Sequence, residues 1–213
     1  NDLKTKYIQS LSSQMEPTLN TLGASAKDLS AKAPQQAEQM QAQVAALKQF
    51  SDDIQELSLL ENSLTEPYEM GEVNAGTFCE NVMEKAKEFM KPDVTPSVNA
   101  PKLQVKTNKE QLERILLYLL KNAAFYTEQG RISLDFKKRG AHTHQFIITD
   151  TGTGISAEQQ ENLFKPFTQV KDLTTGDGLG LPICSLIATK MNGSLSCRSG
   201  YTKGCRFILE LHA

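Results

Sequence analysis

Apolar and small side chains recur at steps of three and four through the N-terminal third of the chain. Ile8, Leu11, Met15, Leu19, Leu22, Ala26 and Leu29 make one seam, and Met40, Val44, Leu47, Phe50, Ile54, Leu57 and Leu60 a second. A period near 3.5 is that of a helix whose apolar face meets a partner helix. The first seam stops at Ala33-Pro34, where a proline suits a helix end and restart, and the second ends near Glu66-Pro67. The pattern predicts two helices of ~30 residues joined by a short turn, an antiparallel hairpin. A lone hairpin cannot cover both stripes. A second copy completing a four-helix bundle does so, and a coiled-coil spacer would show the same periodicity.

From Tyr68 onward the period changes. Helices are predicted over Asn74–Met90 (Phe78, Val82, Ala86 and Phe89 on one face), Lys109–Tyr126 and Gly180–Met191. Strands are predicted at Leu103–Lys106, Ile132–Phe136, Gln145–Thr149, Ser194–Arg198 and Arg206–Leu211, the second and third pairing with each other. Antiparallel strands covered by helices on one face form an α+β sandwich. Glycine marks the same division, since only Gly23 precedes Gly71 among the 13 glycines. The expected organisation is a helical hairpin over residues 1–66 and a mixed domain over 67–213.

Charge and composition narrow the function classes. A net charge of −2 gives no reason to expect nucleic acid or an anionic membrane as partner. No run of ~18 apolar residues and no signal-peptide pattern occurs, and the opening on Asn1 suggests a piece of a longer protein. Cys79, Cys184, Cys197 and Cys205 form no Cys-x-x-Cys pair and neighbour no histidine. Free thiols in a reducing compartment are expected before disulfides or zinc.

Three segments of the second domain carry candidate chemistry. In LLYLLKNAAFYT (Leu116–Thr127), Asn122 sits on a helix of mostly apolar positions. It is either a core hydrogen-bonding residue or a neutral oxygen ligand for Mg²⁺ bridging nucleotide phosphates. In DTGTGI (Asp150–Ile155), two glycines permit close backbone approach after a strand, and the carboxylate can accept from an exocyclic amine. In GDGLGLPI (Gly176–Ile183), alternating glycines lead into a helix whose first N–H groups suit an anion.

The order Asn122, Asp150-x-Gly152-x-Gly154, LFKPF (Leu163–Phe167) and GDGLGL resembles the ATP-binding domain of sensor histidine kinases. That domain shares its nucleotide fold with gyrase, the Hsp90 chaperones and the MutL repair proteins. The C-terminal run KMNGSLSCRSGYTKGCRFILEL is similar to kinases of Bacteroides-type two-component sensors, and the hairpin resembles their dimerisation and phosphotransfer domain. The resemblance implies an α/β sandwich binding ATP and Mg²⁺. Asp150 would take the adenine amino group, with Gly152 and Gly154 admitting the base and Tyr126 and Ile155 beside it. Asn122 would hold Mg²⁺. Gly176, Gly178 and Gly180 would wrap the phosphates, with Leu179 and Leu181 anchoring the loop. Residues Thr168–Thr175 would be a short lid, with Phe164 and Phe167 at its base. The implied setting is the cytoplasmic portion of a membrane-anchored bacterial sensor, dimeric through the hairpin and acting on a response regulator or receiver domain.

The chain departs from that pattern in four places. Tyr118 stands where the family often has a second asparagine and the wider group a glutamate base, which weakens an ATP-hydrolase reading. Phe125 replaces a common lysine, and Asp177 adds negative charge to the phosphate loop, with Lys165 and Lys171 available to compensate. In the acceptor segment, Ser12-Ser13-Gln14-Met15-Glu16-Pro17-Thr18-Leu19-Asn20 matches a family run of approximately Ser-His-Glu/Gln-x-Arg-Thr-Pro-Leu-Asn. Ser13 takes the place of the phosphoacceptor histidine. Its hydroxyl needs a base that Gln14 cannot supply, and a phosphoserine ester is too stable to pass its phosphoryl group on readily. His142 and His144, expected in a strand-to-strand turn, and His212, next to the end of the chain, all lie in the other domain.

Overall fold

The computed structural model describes residues 2–30, 33–166, 178–198 and 204–212, with the backbone alone for 2–7 and 157. Its contacts divide it into two compact units, Asn1–Ser63 with Leu163–Ile183, and Leu64–Asn162 with Cys184–Ala213.

In the first unit, α1 (Asp2–Leu29) and α2 (Pro34–Asn62) pack on each other as the two seams predict. Pro34 opens α2 at a position where its missing N–H would have had no intrahelical partner. Small residues set the approach: Ser12 and Ala26 on α1 and Ala37, Ser51 and Ser58 on α2 are buried, together with Leu19, Leu57 and Leu60. The rest of the α1 seam points elsewhere. Leu11, Met15, Leu22 and Leu29 remain 36–44% exposed, a stripe at heptad-like spacing that α2 leaves uncovered.

Pro17 lies inside α1 without ending it. It has no N–H for the Ser13 carbonyl, four residues earlier. Hydroxyls bond to the backbone on both sides of this break: Ser13 Oγ donates to the Ser10 carbonyl at 2.9 Å, and Thr21 Oγ1 donates to the Pro17 carbonyl at 2.9 Å. Such back-bonding tends to bend a helix rather than break it.

The second unit is built on a five-stranded sheet in the order β2-β4-β5-β7-β6, comprising β2 (Val94–Asn99), β4 (Gly130–Lys138), β5 (Thr143–Asp150), β6 (Gly193–Arg198) and β7 (Arg206–His212). Helices α3 (Ala75–Ala86) and α4 (Lys109–Tyr126) pack against it. A separate two-stranded sheet pairs β1 (Gly71–Asn74) with β3 (Gln104–Thr107). Shorter helical segments are a 3-10 turn (Lys87–Phe89), α5 (Ala157–Asn162) and α6 (Gly180–Lys190), whose residues up to Ile183 group with the first unit.

Two expectations change. The main sheet is mixed, because β2 runs parallel to β4. The β2 sequence VTPSVN carries Pro96, which lacks a ladder donor and is tolerated on an edge strand such as this. His144, expected in the turn between strands, instead lies within β5, 7% exposed and stacked on Phe136 with ring centroids 5.7 Å apart. Burial lowers its pKa, helped by the nearby positive charges of Lys138 and His142.

The strand period positions the site. In β5, Phe146, Ile148 and Asp150 share one face, and register sets them opposite Phe136, Leu134 and Ile132 of β4. All six are at most 5% exposed, so Asp150 is the polar end of an otherwise apolar row. At the far end of the unit, Asn192 adopts a positive φ of 57° between α6 and β6. Its side chain donates to the His212 carbonyl at 2.9 Å, while its own carbonyl accepts the His212 N–H at 3.1 Å.

Candidate functional site

Asp150 ends β5 and is 5% exposed. Oδ1 accepts two backbone N–H groups, from Gly152 at 2.9 Å and from Cys205 at 3.2 Å. Among the described residues, Oδ2 makes no hydrogen bond. Burial raises the pKa from its ordinary value, and the two N–H donors pull it back in part. The arrangement fixes one oxygen to the scaffold and leaves the other as an acceptor.

The backbone after Asp150 is held against the end of α4. Thr153 N–H donates to the Tyr126 carbonyl at 3.2 Å. A Cβ at Gly152 would stand 2.3 Å from that same oxygen and 2.9 Å from Thr127 Oγ1, so no side chain fits there. Gly154 has φ +74° and passes close to the Gly204 carbonyl. Gly204 is tighter still, with φ +90° and a would-be Cβ 1.9 Å from the Asp150 carbonyl oxygen. Ile155 is half-buried, and its carbonyl accepts from Gln160 Nε2 at 3.4 Å. The capping box of α5 follows: Gln159 N–H bonds to Ser156 Oγ and Ser156 N–H to Gln159 Oε1.

Helix α4 carries the other candidates. Asn108 caps it by accepting the Gln111 N–H at 2.9 Å, and its buried face runs from Leu112 to Ala124. Asn122 is half-buried, and its side chain makes no hydrogen bond among the described residues. Being half-buried, the carboxamide keeps access to solvent. One turn further on, Tyr126 is 52% exposed and its ring meets Phe125 edge-on at 5.0 Å. Thr127 is fully buried, and its Oγ1 has no partner among the described residues.

Thus Tyr126, Asp150, Gly152 and Gly154 are linked by direct backbone contacts, with Asn122 one turn away on the same helix. Gly178, Leu179, Gly180 and Leu181 belong to the first unit and are described apart. Gly178 takes φ +71°, Leu179 is fully buried and its carbonyl accepts the Ile183 N–H at 2.9 Å, and Leu181 is 9% exposed. The first N–H groups of α6, on Gly180 and Leu181, precede the point where intrahelical bonding begins. Gly176, Asp177, Lys171, Phe167 and the expected lid at 168–175 lie outside the described residues. Phe164 is half-buried. Among the described residues, no cluster of three or more His, Cys, Asp or Glu side chains is suited to hold a metal, so a cation here would depend on Asn122 and a ligand's own oxygens. An open depression of about 380 Å³ lined by Thr95, Gly130, Arg131 and Thr151 includes neither Asn122 nor the Asp150 carboxylate.

Residues 107–213, just over half of the chain, match the family described as histidine kinase-, DNA gyrase B-, and HSP90-like ATPase. The chain belongs to that family. The stretch so matched includes Asn122, the Asp150–Ile155 turn and the Gly176–Leu181 run, so the ATPase-family domain contains every candidate nucleotide contact. The chain is 35% identical over 117 residues to the autoinducer 2 sensor kinase/phosphatase LuxQ of Vibrio vulnificus, covering 51% of this chain and 14% of that protein. It is 24% identical over 224 residues to the aerobic respiration control sensor protein ArcB of Escherichia coli, covering 99% of this chain and 29% of that protein. It therefore spans less than a third of the length of these relatives. The fold matches the crystal structure of full-length ShkA in complex with AMPPNP at a TM-score of 0.79 and 21% identity, over 98% of this chain and 46% of that one. It matches the Acinetobacter baumannii histidine kinase AdeS at 0.69 and 20% identity, over 92% and 95% of the two chains. Among the described residues, no helix is long and apolar enough to cross a membrane.

Sequence reasoning missed two parts of this site. Thr127 closed the Leu116–Thr127 segment and was read only as its end. Gly204 stands two residues before the predicted strand Arg206–Leu211, a position where glycine alone signals little.

Proposed function

We propose that the chain is the kinase core of a two-component sensor, binding ATP with Mg²⁺ in its second domain and dimerising through its hairpin, with residue 13 unable to serve as the phosphoacceptor. The observation that carries this is the Asp150 carboxylate: buried, fixed through one oxygen and open at the other, beside glycines too crowded for any side chain. An acceptor placed this way selects a ligand amine, and the adenine amino group fits that chemistry. Asn122 holds Mg²⁺ through its carboxamide oxygen, and Tyr126 and Ile155 flank the base. The run Gly176–Leu181, at the N-terminus of α6, takes the phosphates on its N–H groups. Mg²⁺, when bound, offsets phosphate charge. The chain's own residues set the position of the base and keep its amine on Oδ2. The protein's setting is the cytoplasmic part of a membrane-anchored bacterial sensor of Bacteroides type, with a response regulator or receiver domain as downstream partner.

Titrating ATP into the chain by calorimetry tests this reading, and absence of adenine-nucleotide binding overturns it. A second measurement concerns the hairpin. Ser13 is exposed, and its hydroxyl is engaged with the Ser10 carbonyl, with no titratable base beside it in sequence. Incubated with γ-labelled ATP, the chain gains no label that survives base and is lost in acid. Label on the unaltered protein, whether acid-labile as on histidine or acid-stable and base-labile as on serine, would overturn this assignment. Label on the Ser13→His variant would place the defect at the acceptor rather than at the nucleotide.

The uncovered stripe Leu11, Met15, Leu22 and Leu29 supports dimerisation through α1. Light scattering is expected to give a dimer for the chain and a monomer for a Leu22→Glu/Leu29→Glu variant. A monomeric unaltered chain would remove the hairpin as the interface.

A further inference from the structure

We propose that Cys197 and Cys205 form a modification site, a dithiol that peroxide-class oxidants convert to an intrachain disulfide and reductants restore. Cys197 lies in β6 and Cys205 immediately before β7, and these strands pair antiparallel, with Cys197 opposite Phe207. The two sulfurs are 2.9 Å apart and share a hydrogen bond. A bond of about 2 Å needs only a small closing motion. Cys197 is half-buried and reachable from solvent, while Cys205 is 5% exposed behind it. The Cys205 thiol lowers the Cys197 pKa by hydrogen bonding to its sulfur, and the same interaction, with burial, raises that of Cys205. The exposed member is thus the nucleophile and the buried one the resolving thiol. Cys79 and Cys184 are both buried.

The reaction balances with hydrogen peroxide as oxidant. The Cys197 thiolate attacks one peroxide oxygen, the O–O bond breaks, and hydroxide leaves to become water with the proton Cys197 gave up. Cys197 is now a sulfenic acid. Cys205 attacks that sulfur, the S–O bond breaks, and the departing hydroxide takes the Cys205 proton as a second water. Two thiols are oxidised, one peroxide is reduced, and one disulfide and two waters result. In a reducing compartment such a pair is transient, as sensing thiols are.

The position gives the pair a consequence. Cys205 donates its N–H to Asp150 Oδ1 at 3.2 Å and accepts the Asp150 N–H on its carbonyl at 3.0 Å. Gly204, the preceding residue, lies against the Asp150 carbonyl. Drawing Cys205 toward Cys197 therefore strains one of the two bonds that hold the carboxylate. This consequence, unlike the disulfide itself, rests on Asp150 as the adenine acceptor.

The test treats the reduced chain with hydrogen peroxide, counts thiols with a maleimide, and maps the products by mass spectrometry after tryptic cleavage. The expected result is a fall from four free thiols to two, a peptide pair joined through Cys197 and Cys205, and full recovery with a phosphine reductant. The Cys197→Ser variant is expected to keep its remaining thiols. Free Cys205 after treatment, overoxidised Cys197 alone, or disulfides between chains would overturn the site. ATP is expected to bind the oxidised chain about tenfold more weakly than the reduced one. Equal affinity for both forms would overturn the coupling and leave the disulfide standing. Absence of ATP binding to either form would overturn the nucleotide reading, while the thiol count still decides the site.

Discussion

Asp150→Asn abolishes ATP binding at ordinary concentrations and leaves the chain folded. The substituted amide keeps an oxygen for the N–H groups of Gly152 and Cys205, so the scaffold bonds at 2.9 and 3.2 Å survive. The group replacing Oδ2 becomes a donor, and the proposed partner, an exocyclic amine, is also a donor. Losing a charge-assisted bond and leaving two donors facing each other costs about 3 kcal/mol, or roughly 100-fold in affinity. Calorimetry with ATP measures this, and inosine triphosphate, which carries a keto oxygen in place of the amine, should regain affinity with the variant. Undiminished ATP binding by the variant would remove Asp150 from the site. Asn122→Ala offers the complementary result, a loss of affinity seen only when Mg²⁺ is present.

Asp150, as the proposed adenine acceptor, is expected to make binding pH-dependent in a defined sense. Burial raises its pKa in the folded chain above that of the unfolded chain, so the folded state takes up its proton first as pH falls. Stability attributable to this group is then greatest at low pH and declines as pH rises through the raised pKa. Nucleotide affinity moves the other way, because only the carboxylate offers Oδ2 as an acceptor. The group thus costs the fold something at neutral pH, as a binding carboxylate held in a buried place does.

Gly204→Ala is expected to have the largest effect on stability of any single change at the site. The residue sits at φ +90°, and its new Cβ would lie 1.9 Å from the Asp150 carbonyl oxygen and 2.9 Å from Thr151 Cα. Both obstacles are backbone, so no rotamer relieves them. Separating them requires breaking the exchange between Asp150 and Cys205 that joins the end of β5 to the start of β7. A loss above about 4 kcal/mol follows, in the exceptional range for one substitution and close to the ~5–15 kcal/mol that a domain has in total. Gly152→Ala, which meets the Tyr126 carbonyl at 2.3 Å, should follow closely. Gly71→Ala is the control: a Cβ there meets nothing within 4 Å, and the change should stay within about 0.5 kcal/mol. Denaturant titration of the three variants distinguishes them, and equal midpoints would refute the crowding argument.

What the sequence revealed follows from how local each signal is. Helix α4 was legible end to end because its apolar period, its Asn108 cap and its polar flanks all lie within one stretch. Strands β4 and β5 were legible because both alternate, and a short turn makes their pairing nearly obligatory. Strand β2 was not, since Pro96 and two hydroxyl residues hide the alternation, and its parallel partner is more than thirty residues away. Helix α5 was missed although Ser156 and Gln159 spell a capping box, because six residues carry no readable period. The same distinction holds for the site. Asp150, Gly152 and Gly154 are contiguous and could be read together. Gly204 and Thr127 depend on contacts between segments distant in sequence, which no local pattern encodes, and the Cys197–Cys205 pair depends on how β6 and β7 register with each other. His144 was misplaced because Thr143 and His144 look like turn residues until β7 pairs beside them.

The bond from Thr153 N–H to the Tyr126 carbonyl, with Gly152 pressed beneath it, makes a gauge of this domain. Asn122 precedes Tyr126 by one helical turn, about 6 Å along a rigid axis, and the far end of that axis is pinned to the turn that follows Asp150. The distance from the Asp150 carboxylate to the Asn122 carboxamide, the proposed amine acceptor and metal ligand, is therefore set when the protein folds, not when a ligand arrives. A molecule is judged by whether its two ends match that length, and one with the right base but a missing tail satisfies half of the measure.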